Sequence, residues 1–262
     1  MIMAQSRAGT DWVGFKTIII REFSRIVRIW GQTIVPPAVT ATLYFVIFGS
    51  LIGRRVGQVG GFDYMQFMAP GIIMMNVIQT SYGNVVSSFF GAKFGKHVEE
   101  LLVSPLPNWL IVAGYTMGGV LRGVLVGSVV TIISLFFTRL AITHVFAIIT
   151  AAFLTSVIFA LGGFINALFA KNFDQISWFP TFVLTPLTYL GGVFYSVNML
   201  PGWAHVASHA NPILYMVSAF RFGFLGVTDV DLRVAYGIML LAAAAMFALA
   251  VALLNRGTGI RE

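Results

Sequence analysis

The chain has 262 residues, of which 58% are hydrophobic and 10% charged, with no cysteine and a net charge of +7. Soluble domains carry about 25% charged residues, so this composition indicates an all-α polytopic membrane protein. The absence of cysteine excludes disulfides, thiolate metal sites and cysteine nucleophiles. In a chain this apolar, the positive charge suits basic residues held at the cytoplasmic membrane face better than a nucleic-acid surface. Six transmembrane helices with short connections would use nearly the whole length, leaving no room for a soluble catalytic domain. The N-terminus lacks the apolar core and small-residue site of a cleavable signal peptide.

Residues 1–11 are polar and expected to be loose. Residues 10–30 read as an amphipathic helix. Phe15, Ile19, Phe23, Ile26 and Trp30 recur at three- and four-residue steps, with Arg21, Arg25 and Arg28 on the opposite side. Too charged to span, the segment fits an N-terminal interface helix lying flat at the inner surface, apolar side in lipid and arginines toward phosphates. The first span covers residues 32–52, with Pro36 and Pro37 tolerated in its first turns. Arg54, Arg55 and Asp63 follow on the outer side. The second span, residues 67–90, carries Asn76, Thr80 and Asn84 at steps of four, with Gly83 and Ser87 beside them. Polar residues at membrane depth face protein or a cavity, so this face either packs helices together or lines a path.

Residues 91–108 form the main cytoplasmic loop. Phe94, Val98 and Leu101 share a helical face, Lys96, Glu99 and Glu100 are polar, and Ser104-Pro105-Leu106-Pro107 stops the helix. A short amphipathic helix of this kind suits a docking element. In the third span, residues 112–137, Gly119, Gly123 and Gly127 repeat every four residues beside Gly114 and Gly118, which reads as close helix packing. Arg122 lies about 20 Å along a helix that starts near Trp109 and would need a partner there. A helix entering the membrane nearer Thr116 would instead let it snorkel to the inner headgroups.

The fourth span covers residues 144–170. The fifth, residues 176–195, should be kinked by Pro180 and Pro186. The sixth covers residues 234–254. Residues 196–226 are apolar and aromatic, yet Pro201, Gly202, Asn211, Pro212 and Gly223 interrupt them. Each helix-compatible half is shorter than the roughly 20 residues needed to cross a bilayer. Two readings fit: a re-entrant helical hairpin before the last span, covered by protein or a water-filled cavity, or an outer loop with an interfacial helix. Arg221, the only charge in this stretch, calls for lipid headgroups, a carbonyl or Asp229 as partner.

Six spans put both termini on one side. Arg7, Lys16, Arg21, Arg25, Arg28, Lys93, Lys96, Lys171, Arg256 and Arg261 fall on that side, against Arg54, Arg55, Arg139, Arg221 and Arg233 opposite. Ten against five makes the termini cytoplasmic. No nucleotide site is visible. Residues 91–97 are a near miss to a P-loop, with one residue too few between the glycines and His97 in place of the Mg²⁺-binding hydroxyl. His205 and His209 lie four apart but have no carboxylate between them, so two interfacial histidines without a metal are favoured. The spans hold no pair of carboxylates, which weakens a proton-coupled carrier. No nucleophile constellation supports an enzyme acting on lipid with either histidine as base.

Asn211-Pro212-Ile213-Leu214-Tyr215, followed by Arg221 and Gly226, resembles the closing motif of type-2 ATP-binding-cassette (ABC) permeases. Gly191-Gly192-Val193-Phe194-Tyr195-Ser196, Leu200-Pro201-Gly202-Trp203 and Glu100-Leu101-Leu102-Val103-Ser104-Pro105-Leu106-Pro107 are similar to that family's other motifs. The resemblance implies a small bacterial exporter permease in the cytoplasmic (inner) membrane, working as a homodimer with two copies of a separate ATPase that carries the ATP and Mg²⁺. It makes residues 91–108 the coupling helix, with Phe94, Val98, Glu99, Glu100 and Leu101 seated on the ATPase. It places Trp203, Tyr215 and Arg221 at an outer gate, though a hairpin that merely caps the bundle fits the same residues. A secondary carrier or channel without an ATPase is the alternative. The sequence does not choose among polysaccharide, lipid and drug substrates.

Overall fold

The computed structural model describes residues 7–259. Residues 1–6 and Arg261 lie outside the described residues, as do the side chains of Arg7 and Arg54. Helix α1 (Arg7–Arg28) begins within the stretch expected to be loose and runs almost directly into α2 (Trp30–Tyr44). The Thr33 N–H donates to Ile29 O at 3.0 Å, so the chain bends there without breaking. Beyond Tyr44 the helix opens into wide π turns over Phe45–Gly53. One turn, α3 (Arg54–Val56), leads to a hairpin of β1 (Gln58–Val59) and β2 (Phe62–Asp63), with Gln58 opposite Asp63. Gly60 and Gly61 both have positive φ, as a two-residue hairpin loop requires.

Helix α4 (Tyr64–Phe94) has 31 residues and ends where Gly95 and the left-handed Lys96 redirect the chain into α5 (His97–Val103). Helices α6 (Asn108–Ser134) and α7 (Val145–Phe169) follow. A bent rod comes next, made of α8 (Phe173–Phe179), a π segment (Pro180–Leu184) and α9 (Thr185–Leu190). Pro180 starts the wide turns, and its carbonyl accepts from Thr185 Oγ1 at 2.8 Å. After one 3-10 turn (Val197–Met199) come α10 (Gly202–His209), α11 (Pro212–Leu225) and α12 (Leu232–Asn255). The break between α10 and α11 is built by Asn211, whose side chain accepts from the Ile213 N–H, with Pro212 at the first helical position.

Among the described residues, four helical stretches are long and apolar enough to cross a membrane: Trp30–Gly49, α6, α7 and α12. Helix α4 is the core element and packs against α6, α7 and α11. Every residue from Phe67 to Ile78 is buried. The small residues of α6 serve packing within the subunit. Gly119 and Gly123 face Ser81 and Val85 of α4 and Ala160 and Ser156 of α7, while Gly114 and Gly118 face Ile18 and Glu22 of α1. On α7, a Cβ at Gly163 would lie 2.5 Å from the Tyr82 carbonyl oxygen, whereas one at Gly162 would meet nothing closer than 3.5 Å. Gly163→Ala should therefore push α4 and α7 apart and cost about 1–3 kcal/mol. Gly162→Ala should be neutral or stabilising by up to about 1 kcal/mol. Thermal unfolding in detergent checks the pair, and equal melting of the two variants would contradict this packing.

Candidate functional site

Three features carry polar chemistry. The first joins α1 to the bundle. Glu22 is 1% exposed and accepts from Ser88 Oγ on α4, from Arg25 Nη2 at 3.0 Å and from Asn84 Nδ2 at 3.5 Å, with Arg21 3.7 Å away. Arg25 Nη2 also donates to Asn84 O at 3.0 Å and to its Oδ1 at 2.7 Å, and Nη1 reaches Ser87 Oγ at 3.4 Å. Arg21 donates to the Tyr115 hydroxyl on α6. Gly118 makes the approach possible, because a Cβ there would lie 2.8 Å from Glu22 Cβ. This corrects the expected orientation of the arginine face: Arg21 and Arg25 turn toward protein, drawn by a buried carboxylate. The apolar side of α1 is uncovered at Phe23, as is Trp30 at the start of α2, while Ile26 is buried. Sequence reading missed Glu22. Its signal was an acid set among Arg21, Arg25 and Arg28.

The second feature is one side of α4. Gln79 and Ser87 are exposed and Thr80 and Gly83 half-exposed on a helix otherwise largely enclosed. The hydroxyls of Thr80 and Ser87 donate to carbonyls of their own helix, at Asn76 (2.6 Å) and Gly83 (2.7 Å). Asn76 is buried and donates to Ile72 O at 2.8 Å, again within α4. Of the three asparagine and threonine positions, only Asn84 makes a side-chain bond to another helix. A Cβ at Gly83 would meet nothing within 4 Å. A cleft of about 370 Å³ opens between this face and the bent rod, with Gln79, Gly83, Ser177, Thr181 and Thr185 in its lining.

The third feature is the two ends of the bundle. At the end of the bundle that carries α5, Val98 is buried and Leu101 is half-buried against the protein's own core. Phe94, Glu99, Glu100 and Val103 are exposed, and Phe94 stands 5.2 Å from the Phe173 ring. The expected shared face of Phe94, Val98 and Leu101 is thus split. At the opposite end, Arg221 is 1% exposed and donates to Phe67 O (3.3 Å), Asp229 Oδ2 (3.1 Å) and Gly192 O. Its guanidinium lies 3.9 Å from the Phe67 ring centre. Gly192 offers that carbonyl from a left-handed turn (φ 73°). Tyr215 donates to His209 O at 2.9 Å, and Trp203 is 80% exposed on α10. The three residues expected at an outer gate therefore occupy different environments, with Arg221 buried as an anchor.

Residues 13–225 match the family of ABC-2 type transporters. The chain belongs to the ABC-2 type transporter family. This ABC-2 protein is 54% identical over 252 residues to the inner membrane transport permease YadH of Escherichia coli K12, covering 96% of the chain and 98% of the relative. It is also 26% identical over 218 residues to nodulation protein J of Rhizobium leguminosarum bv. trifolii and 23% over 215 residues to that of Rhizobium meliloti, covering 82% of each protein in both cases. The ABC-2 match takes in α2, α4, α6 and α7 and ends at the last residue of α11. It therefore includes the Glu22 network, the α4 face and Arg221 with its carbonyl partners, but stops short of Asp229.

Proposed function

We propose that this chain is the membrane-spanning permease subunit of an ATP-driven exporter, paired with itself and with two copies of a separate ATPase. The observation that carries the reading is the uncovered polar side of α4. Polar and small side chains at membrane depth need protein or water beside them, and a second copy facing Gln79, Thr80, Gly83 and Ser87 would enclose a path there. The E. coli relative's name, an inner membrane transport permease, supports the location and the transport role.

In this reading six segments cross: α2 with its π extension, α4, α6, α7, the rod from Phe173 to Leu190, and α12. At 1.5 Å per residue, the 31 residues of α4 reach about 46 Å, ample for the roughly 30 Å hydrocarbon core. The hairpin of α10 and α11 dips from the outer side. Burial along α11 suits backbone at membrane depth, which must be covered by protein. The exposed α10, with Trp203, supplies the gate, while Arg221 and Tyr215 hold its base. The excess of Lys and Arg on the terminal side puts both termini in the cytoplasm.

The ATPase docks on what α5 leaves outward, namely Glu99, Glu100 and Val103 with Phe94. Leu101 and Val98 support α5 from the permease side. Replacing Glu100 with Lys, or Val103 with Asp, should reduce recovery of the ATPase in pull-downs by about tenfold, the equivalent of one interface contact worth about 1.4 kcal/mol. Permease insertion should be unchanged. Full recovery with both variants would remove docking from this loop, and transport sustained without any ATPase would favour the uncoupled carrier.

A further inference from the structure

A third guanidinium, beside those of Arg21 and Arg25, stands at the level of the Glu22 network and has no counter-charge among the described residues. Arg122 lies one turn beyond Gly118 on α6, and Gly118 is the residue that touches Glu22. Long helical side chains lean back toward the preceding turn, so Arg122 leans toward that network. Gly114 meets Ile18 and Gly118 meets Glu22, and the same register one turn on sets Arg122 opposite the turn of α1 that carries Arg25. Among the described residues no carboxylate approaches Arg122 within ion-pair distance; Glu22 pairs with Arg21 and Arg25. The Nε atoms of both Arg25 and Arg122 are buried without a hydrogen-bond partner. The one carboxylate of the network is thus already shared by two guanidiniums, and Arg122 has none. Arg122 is half-buried, and a partly desolvated cation without a counter-charge on an apolar helix is costly, the more so with a like charge beside it. The missing component is an anion.

The position indicates how it would arrive. Arg25 borders the uncovered face of α4 through Asn84 and Ser87, so an anion bridging Arg25 and Arg122 would reach them from the polar side, at the level of the inner half of α4. We propose that Arg25 and Arg122 form a binding site for the phosphate of a net-anionic amphiphile, one with no ammonium group of its own, entering from the inner leaflet. A planar guanidinium presents paired donors suited to phosphate oxygens, and the apolar surface of α1 around Phe23 would run beside the acyl chains. This inference rests on the transport reading only in naming the amphiphile as cargo. As a lipid-binding site it stands independently.

The test uses the full chain in phosphatidylcholine nanodiscs, with phosphatidylglycerol as the probe. Wild type should retain phosphatidylglycerol in native mass spectrometry and melt several degrees higher when it is added, because a ligand that binds only the folded state stabilises it. Arg122→Gln should bind it about tenfold more weakly, a loss typical of one charge-assisted hydrogen bond, and should lose the thermal shift. Without phosphatidylglycerol, Arg122→Gln should be at least as stable as wild type, since it deletes an uncompensated charge. Arg122→Lys should retain part of the binding. Unchanged retention and thermal shift in Arg122→Gln, or wild type that does not distinguish phosphatidylglycerol from phosphatidylcholine, would overturn the site. Adding the ATPase and ATP then separates the two sources. Movement of the probe to the opposite leaflet makes the site a cargo site, and a probe that stays bound through turnover makes it a headgroup site. Transport that persists in Arg122→Gln with binding unchanged leaves the transport reading intact and removes the anion site.

Discussion

Replacing Arg221 with Met should cost about 3–5 kcal/mol of stability, the range for removing one partner of a buried ion pair. The expectation follows from what one guanidinium holds. It joins α11 to the first turn of α4 through Phe67 O, to the loop after α9 through Gly192 O, and to the segment before α12 through Asp229. Without it, two buried carbonyls lose a donor. Asp229 is then left with Ser196 and Asn198 alone. Lysine should not rescue, because an ammonium group cannot satisfy three divergent directions with the fixed fork of a guanidinium. Asp229→Asn should be milder, since both carbonyl bonds survive. Thermal unfolding of the three variants in detergent is the measurement. Melting of Arg221→Met within a degree of wild type would show that the outer end is held by packing alone.

The second large effect is expected at Glu22. Glu22→Gln keeps the shape but leaves Arg21 and Arg25 without a carboxylate, and should cost about 2–3 kcal/mol. That is less than a fully buried pair, because Arg25 retains 27% exposure and solvent screens part of the charge. The damage should be local. The tie between α1 and the bundle weakens, so protease should cut α1 earlier in Glu22→Gln than in wild type while α6 and α7 stay protected. Combining Glu22→Gln with Arg25→Gln should recover part of the loss, since the pair then goes together. A strictly additive double variant would mean that the two side chains do not interact.

Much of the helical layout was legible because long apolar runs leave few alternatives. The break at Asn211-Pro212 was legible for the same local reason: a cap and a fixed φ need no distant partner. What the sequence hid is non-local. The Glu22 network depends on Ser88 and Asn84, more than 60 residues away, and no spacing rule links them to α1. Helical periodicity put Val98 and Leu101 on one face of α5 but could not say whether that face meets the protein's own core or a partner. The stripe through Asn76, Thr80 and Asn84 was visible as polar, yet only packing shows that Asn76 and Asn84 turn inward while Thr80 and Ser87 border the open side. The β1–β2 hairpin was missed although Gly60-Gly61 is a recognised two-residue turn signal. The π segments have no compositional mark beyond Pro180.

Those two wide-turn stretches have a mechanical consequence. Tyr44, where the first begins, shares a hydroxyl contact of 2.8 Å with Tyr189, beyond the second. A π helix packs more residues into each turn than an α-helix, so tightening it lengthens the rod and rotates everything beyond it. Nine residues of Phe45–Gly53 and five of Pro180–Leu184 are therefore stored slack, placed in two neighbouring rods clasped by a tyrosine pair. Taking up that slack would exchange i→i+5 hydrogen bonds for i→i+4 ones and lengthen both rods with a twist, like two screws turned together.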